Sequence, residues 1–563
     1  MFSFSNFSIT KLLTNNTKWL ETQQTSINSA AAIIAMANAF SVVFGFVRTR
    51  IVLSYFSEEV VTAWTLAFQI PDMLFQLLIF GALSAAFIPI FLSLKKNNDE
   101  ATAFKMSGIV LNVLLVIFTL ASVLIFIFAE PLTMARIGDK LSADQIYIVI
   151  KLTRVMLLAQ IFFTVSNIMT GILQSYKRFI VPSLAPIIYN LGIILGVILF
   201  SGKFGIYSAG LGVILGAFMH MIVQIPLVLK LGFKPTFSLN IRHPGVIKLF
   251  LLSPARFLTI GISQFQTLAL AYFATSIGQL SFLYISYATY LSVFPIRMFG
   301  VPLSQAALPF LSQYSKQEEL AKFRDLILQS LHQISFLAMP TSVLLLILRV
   351  PIVRLAFGTD NFSWTSTVTT GKVLAILAIS ITAQAMVQLL VRGFHALKNT
   401  QTPLAISFVF TTFYLLSSFY VVKFTSYGVV GLAVVSSVSF LIELLLFMVL
   451  LNRIVPEFLS KKMLIPQMKM LLSSFFMAVF LYLPFRIFDE LIFDTTKTIE
   501  LIELTITTAT IGMLVYIYFA ALFEIKELEL ITRTLESFSK KWRPSIGKTE
   551  EFMVETSVDN ERV

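Results

Sequence analysis

The chain has 563 residues, of which 57% are hydrophobic and 13% are charged, and its formal net charge is +13. Soluble domains are about 45–50% apolar and about 25% charged, so this composition predicts an integral membrane protein and excludes a soluble one. The sequence has no cysteine, which excludes disulfides, cysteine metal sites and a cysteine nucleophile. We assign the positive charge to cytoplasmic loops rather than to nucleic-acid binding.

Apolar segments of the length that spans a bilayer, about 20 residues, recur along the whole chain. They predict an all-α membrane protein with about fourteen transmembrane helices. Residues 1–28 precede the first span and are expected to be a cytoplasmic segment without a cleavable signal peptide. The fourteen predicted spans are 29–54, 60–94, 104–129, 146–175, 180–201, 206–231, 246–277, 281–313, 322–349, 366–394, 403–423, 427–452, 467–488 and 500–523.

Lysines and arginines concentrate in every second connection between these spans. Lys95, Lys96, Lys177 and Arg178 lie in two such connections, whereas residues 278–280 on the other side carry no charge. Positive residues favour the cytoplasmic side, so both chain termini are predicted to be cytoplasmic.

The chain repeats itself with a period of about 220 residues. Gly81–Ser93 and Phe294–Ser312 share a Ser and a Pro five positions apart, and Lys177–Pro182 matches Lys398–Pro403. Six spans form one unit, so both units enter the membrane from the same side, as in parallel-repeat transporters that bind substrate between their halves. The predicted units are an N-terminal segment (1–28), an N-lobe (29–231), a C-lobe (246–452), two extra helices (467–523) and a cytoplasmic tail (524–563).

Polar residues inside the spans form stripes on spans 1, 2, 7 and 8, which indicates one shared hydrated cavity. Arginines are the strongest part of this pattern, because an arginine at the bilayer centre costs about 2.5–3.5 kcal/mol. Serines and threonines bonding their own helix, and Arg48 and Arg50 extending to the interface, are the alternatives. Asp72 is a candidate partner for Arg48. The candidate substrate-binding residues are Arg48, Arg50, Gln69, Asp72, Arg256, Tyr290 and Arg297.

No catalytic constellation accompanies these residues. The sequence contains no nucleotide-binding loop, metal-ligand cluster or paired carboxylates, so we predict a carrier that is not an enzyme and uses no cofactor or metal. Transport would then depend on an ion gradient, the membrane potential or the gradient of the substrate.

Several motifs, taken together, resemble the MurJ/MviN family of lipid II flippases, which belongs to the multidrug/oligosaccharidyl-lipid/polysaccharide exporter superfamily. They are Gly81–Pro89, Gln174–Pro182 with Asn190, Phe294–Ser312, Leu337–Pro340 and Phe394–Pro403. The resemblance implies a cavity lined by spans 1, 2, 7 and 8, and a groove at spans 13 and 14 for a polyprenyl tail. It implies alternating-access export of lipid II, or a related polyprenyl-pyrophosphate glycolipid, across the bacterial plasma membrane. The expected partners are this lipid and the membrane lipids, the expected state is a monomer, and a coupling cation is left open.

The chain departs from the family pattern at several charged positions. Val42 and Thr49 replace an arginine and an aspartate of span 1, Gln69 replaces a cation, and Tyr290 replaces an arginine. Arg297 lies two turns beyond Tyr290, about 10 Å along the helix, and we interpret it as a displaced substitute. We hypothesise that Arg48, Arg256 and Arg297 bind a pyrophosphate. Export of another polyprenyl-linked glycan, drug export and a non-transporting scaffold are the alternatives.

Overall fold

The computed structural model describes residues 27–77, 87–97, 99–251, 254–314, 316–495 and 497–529. Over these residues the chain is helical and contains no strand, which confirms the all-α fold. Thirteen helical stretches are long and apolar enough to span a membrane. The predicted span 60–94 falls on two helices, and residues 78–86 between them lie outside the described residues, as does most of the motif Gly81–Pro89. The count of fourteen therefore stays a prediction.

The first half of the chain forms nine helices in the described residues. They are α1 (Ile27–Tyr55), α2 (Glu58–Phe75), α3 (Phe87–Asn97), α4 (Glu100–Ile127), α5 (Ala129–Arg136), α6 (Ala143–Ser175), α7 (Ile180–Phe204), α8 (Tyr207–Ile222) and α9 (Ile225–Lys230).

The second half continues with helices α10 to α20 in the described residues, and two of them are joined by a π-helical turn at Ile296–Gly300. They are α10 (Pro244–Leu251), α11 (Pro254–Ile277), α12 (Ser281–Pro295), α13 (Val301–Gln313), α14 (Leu320–Ile347), α15 (Arg349–Phe357), α16 (Trp364–Ala396), α17 (Gln401–Phe424), α18 (Gly428–Ile454), α19 (Lys461–Ile487) and α20 (Thr498–Leu522).

Capping residues fix where some of these helices begin. Asp99 accepts a hydrogen bond from the backbone N–H of Thr102 at 2.5 Å, which satisfies a free donor in the first turn of α4. Hydrogen bonds from Thr102 lower the pKa of Asp99. The side-chain bond has the larger effect and the backbone bond the smaller one. Ser142 and Gln145 form a reciprocal capping box at the start of α6.

The connections gather at two ends of the bundle, which we name after residues in them. At the Phe56 end, the side-chain N–H of Asn361 donates to the Ser54 carbonyl at 3.0 Å. At the Lys95 end, Lys95 pairs with Glu100 at 2.8 Å. The helices therefore alternate in direction, as membrane spans joined by short connections must.

The internal repeat is visible in the backbone. Lys177 and Lys398 both have a positive φ, 58° and 59°. In each case the next residue closes the preceding helix, since Arg178 N–H donates to Leu173 O and Asn399 N–H donates to Phe394 O, both at 2.9 Å. This left-handed cap reverses the chain between two spans, and it occurs at corresponding places in the two halves.

The apolar cores show how the halves meet. At the Phe56 end one continuous core contains residues of both halves, among them Val61 and Ala67 from α2 and Tyr287 and Ala288 from α12. Towards the Lys95 end the halves have separate cores. The space between the halves therefore widens towards the Lys95 end.

Two further packing features shape the bundle. Helices α7 and α8 approach closely through glycines, since a Cβ added to Gly192 would lie 2.2 Å from the Cα of Gly216. Helices α19 and α20 pack as a pair against α14, where the Tyr516 hydroxyl donates to the Phe336 carbonyl at 3.0 Å. Val246 and Leu249 of α10 join the core of the first half, although they follow it in sequence.

Candidate functional site

Four of the predicted site residues converge between the two halves. Tyr290 on α12 lies within electrostatic range of Arg48 on α1, Asp72 on α2 and Arg297 on the π-helical turn. Its side chain is 49% exposed, and Asp72 and Arg297 are exposed as well, so these groups face an open space between the halves. Tyr189 on α7, which the sequence stripes did not indicate, lies within electrostatic range of Arg48, Asp72 and Tyr290.

Arg48 is held so that part of its guanidinium stays unpaired. It donates to the Oδ1 atom of Asn190 at 3.1 Å and lies 5.8 Å from the centre of the Trp64 ring. Its Nε is buried and has no hydrogen-bond partner among the described residues. Asn190 in turn donates to the Pro186 carbonyl at 3.0 Å, which fixes the amide that orients Arg48.

Asp72 does not pair with Arg48, contrary to the pairing considered from the sequence. It forms a side-chain hydrogen bond with Gln76 and lies within electrostatic range of Arg297. Asp72 also faces a side cavity of about 490 Å³ within the first half. This cavity is lined by amide, hydroxyl and aromatic groups, including Asn38, Gln160 and Tyr189.

Arg297 lies on the π-helical turn, where the Val301 N–H donates to the Ile296 carbonyl five residues earlier. Pro295 and Pro302 lack an N–H, so the regular hydrogen-bond ladder is interrupted on both sides of the turn. The Arg297 side chain is exposed. Gly300 allows the turn to approach α16, since a Cβ at Gly300 would lie 2.9 Å from the Cα of Ala385.

Gln69 is bound by an arginine that the sequence pattern missed. Arg136 of α5 is only 7% exposed and donates to the Gln69 Oε1 atom at 2.5 Å and to the Leu66 carbonyl at 2.9 Å. Burial lowers the pKa of Arg136 to about 10, so it remains charged at neutral pH. Gln69 also donates to the Thr267 carbonyl of α11 at 3.3 Å, which joins the two halves. Arg136 was missed because it lies in a short connection outside the predicted spans.

Replacing Arg136 with methionine should lower the free energy of unfolding by about 2–3 kcal/mol, because the side-chain oxygen of Gln69 and the buried carbonyl of Leu66 lose their donor. Thermal unfolding in detergent measures this loss. The matched control is Arg242→Met, which removes an exposed arginine. Adding Gln69→Leu should recover part of the loss, because it removes the unpaired partner; equal stability of Arg136→Met and the control would contradict the assignment.

Arg50 lies at the Phe56 end rather than with the other four residues. Its guanidinium donates to the carbonyls of Leu355 at 2.5 Å and Arg354 at 3.5 Å, near the end of α15. Thr359 adds a further contact between the halves by donating to the Leu53 carbonyl at 3.2 Å. Arg50 therefore holds the Phe56 end closed.

Glu58 is the buried acid of this closure, and the sequence stripes did not include it. It is 6% exposed and lies at the start of α2. Its carboxylate accepts hydrogen bonds from the Ser363 N–H and the Ser366 hydroxyl, both at 2.5 Å. Both donors belong to the first turn of α16 and its cap, where a negative charge is favourable.

The remaining sequence candidates divide into two groups. Arg256 lies in α11, but its side chain is outside the described residues. Thr62, Thr65 and Ser304 are buried and donate to carbonyls of their own helices. These three hydroxyls therefore follow the alternative given in the sequence analysis, in which serines and threonines bond their own helix. Within the described ranges, no group of three or more His, Asp or Glu side chains is arranged to hold a metal ion.

Comparison with known proteins gives the family. The family model described as "Lipid II flippase MurJ" matches residues 52–501. This chain belongs to the MurJ family. Among its relatives, the probable lipid II flippase MurJ of Bdellovibrio bacteriovorus is 24% identical over 520 residues, which cover 92% of this chain and 98% of the relative. The Thermotoga maritima probable lipid II flippase MurJ is 27% identical over 505 residues, covering 89% and 97%.

Solved structures support the same placement. A structure titled "Lipid II flippase MurJ, inward closed conformation" is similar with a TM-score of 0.71 and 25% identity, covering 87% of this chain and 98% of that one. An inward-facing MATE transporter of the MOP superfamily has a TM-score of 0.62 at 13% identity, covering 75% and 96%, and shows the shared fold alone. The MurJ family membership predicted from the sequence motifs is confirmed, and the chain is a multi-pass membrane protein.

Proposed function

We propose that this MurJ-family protein is a lipid II flippase of the bacterial plasma membrane and works by alternating access. The observation that carries the proposal is the group formed by Arg48, Asp72, Tyr290 and Arg297 between the two halves. Guanidinium groups bind pyrophosphate well when water is partly excluded. The family match and the curated relatives support lipid II as the substrate.

In this proposal the Lys95 end faces the cytoplasm. The separate cores at that end and the closed contacts at the Phe56 end are then those of an inward-facing state. The head group enters from the cytoplasmic leaflet, its pyrophosphate contacts Arg48 and Arg297, and rocking of the halves presents it to the outer leaflet. The protein acts as a monomeric transporter and not as an enzyme, and an ion gradient or the membrane potential drives the cycle.

The lipid tail is assigned to the outer surface of α19 and α20, the pair that packs on α14. Phe475, Val479 and Leu483 of α19 are more than half exposed, which suits contact with an acyl or polyprenyl chain. The proposal includes the domain layout of two six-helix units and this added pair. Helix α10 belongs to the second unit in sequence but packs on the first half.

Accessibility of labelled lipid II in proteoliposomes, with and without a membrane potential, tests this function. We expect the head group to become accessible on the opposite leaflet only when the protein is present. Because the chain has no native cysteine, a pair of introduced cysteines can form one chosen disulfide. Ser54→Cys with Asn361→Cys joins two hydrogen-bonded positions at the Phe56 end. This pair should block flipping until a reductant is added. Flipping no faster than in empty liposomes would instead support the scaffold alternative.

A further inference from the structure

A second cavity lies at the Phe56 end and has no role in the proposed translocation path. It measures about 500 Å³ and is enclosed by the end of α1, the connection between α15 and α16, and the start of α20. It shares no lining residue with the side cavity at Asp72. Its polar lining includes Arg50, Ser54, Arg354, Thr359, Asp360 and Thr498.

Two guanidinium groups give this cavity its charge. Arg50 is fixed by the carbonyls at the end of α15. Arg354 lies 5.6 Å from the centre of the Trp364 ring, which holds it against the wall. In the part of the chain that the structure describes, no carboxylate forms an ion pair with either arginine. Asp360 is the one acid in the lining, and its side chain is exposed. The cavity therefore has an excess of positive charge.

The donors suit a phosphate. Guanidinium groups present fixed pairs of N–H donors that match phosphate oxygens, and the hydroxyl of Thr498 adds a further donor. The surroundings suit a lipid, because the membrane-length helices α1 and α20 each contribute residues from one end to this cavity. Tyr55 and Trp364 are 47% and 59% exposed beside the cavity, as aromatic residues are at the head-group level of a bilayer.

We propose that this cavity binds the phosphate of a lipid head group. Arg50 comes from the first half of the chain and Arg354 from the second half, so the site is complete only while the Phe56 end is closed. A ligand that binds one conformation shifts the population towards it. A bound lipid phosphate therefore favours the state that is closed at the Phe56 end. In the proposed orientation the Phe56 end faces the outer leaflet. Lipids of that leaflet therefore favour the return of the flippase to its inward-facing state.

Binding is measured by counting lipids that remain bound after purification from vesicles of phosphatidylglycerol and phosphatidylcholine in equal parts. We expect the wild-type protein to retain phosphatidylglycerol and the Arg354→Gln variant to retain it about tenfold less, the effect of losing one charged contact. Arg354→Lys should retain an intermediate amount, because it keeps the charge but not the paired donors. Arg349→Gln is the matched control, since Arg349 lies in the same helix and donates to the Leu346 carbonyl instead.

Asp360→Asn provides a change of opposite sign that does not depend on how well the arginine variants fold. Removing the one acid of the lining should increase phosphatidylglycerol retention several-fold. Equal retention by the wild type, Arg354→Gln and Asp360→Asn would overturn the proposal, as would a decrease in Asp360→Asn.

The conformational effect has its own measurement. Spin labels on Lys140→Cys and Tyr427→Cys, which are exposed in connections of opposite halves, report the width of the Phe56 end. Phosphatidylglycerol should shorten the distance between the two labels relative to phosphatidylcholine alone. The Arg354→Gln variant should not show this response. A shorter label distance caused by millimolar inorganic phosphate in pure phosphatidylcholine would assign the site to free phosphate and overturn the lipid assignment. An unchanged distance in every lipid would overturn the coupling.

Discussion

The Arg48→Gln/Arg297→Gln double variant is expected to lose at least about 100-fold of its lipid II translocation rate. Each arginine offers a charge-assisted hydrogen bond of about 1.5–3 kcal/mol to a pyrophosphate, so removing both costs at least about 3 kcal/mol. The rate is measured as head-group accessibility in proteoliposomes. Growth of a flippase-depleted bacterium that carries the variant gives a second measurement, and adding Arg256→Gln extends the test to the third predicted arginine.

Arg154→Gln is the matched control for this experiment. Arg154 is also an arginine within a span, but it donates to the Phe126 carbonyl at 3.1 Å and stacks on the Phe126 ring, and it is absent from the lining of the Asp72 cavity. The control should translocate at close to the wild-type rate. Full growth supported by the triple variant would show that these arginines do not bind the pyrophosphate.

The second large effect concerns Glu58. The Glu58→Ala variant removes the buried carboxylate that accepts two hydrogen bonds from the other half of the chain, and this should destabilise the closed Phe56 end by about 3 kcal/mol, or about 100-fold in the equilibrium. The label pair at Lys140 and Tyr427 should show a wider distance distribution. Translocation should fall as well, because the cycle needs this end to close.

Glu59→Ala is the neighbouring control, because Glu59 is exposed and the Glu58 contacts remain intact. Glu58→Gln should lie between the two, since an amide keeps one acceptor but loses the charge that favours the first turn of α16. A distance distribution in Glu58→Ala identical to that of the control would refute the closing role of Glu58.

Much of the fold could be predicted from the sequence, because apolar length determines where membrane helices form. The repeat was also readable, since Lys177 and Lys398 occupy the same left-handed turn. The convergence of Arg48, Asp72 and Tyr290 followed from stripes spaced by helical turns.

The missed residues lie where the periodic pattern stops. Arg136 and Glu58 lie at or beyond the ends of spans, so stripes inside spans could not indicate them. Their importance comes from burial against distant segments, Gln69 for the first and Ser363 for the second. Arg50 was grouped with the cavity residues in the sequence analysis, because its position near a helix end does not reveal which neighbouring helix lies there.

The continuous core at the Phe56 end also has a thermal consequence. Opening that end must divide a core built from both halves, which would expose apolar surface such as that of Val61, Ala67 and Ala288. Exposure of apolar surface raises the heat capacity, and the stabilisation from its burial weakens on cooling. The balance between the two access states is therefore expected to shift with temperature, and cold should favour the state in which this core is divided.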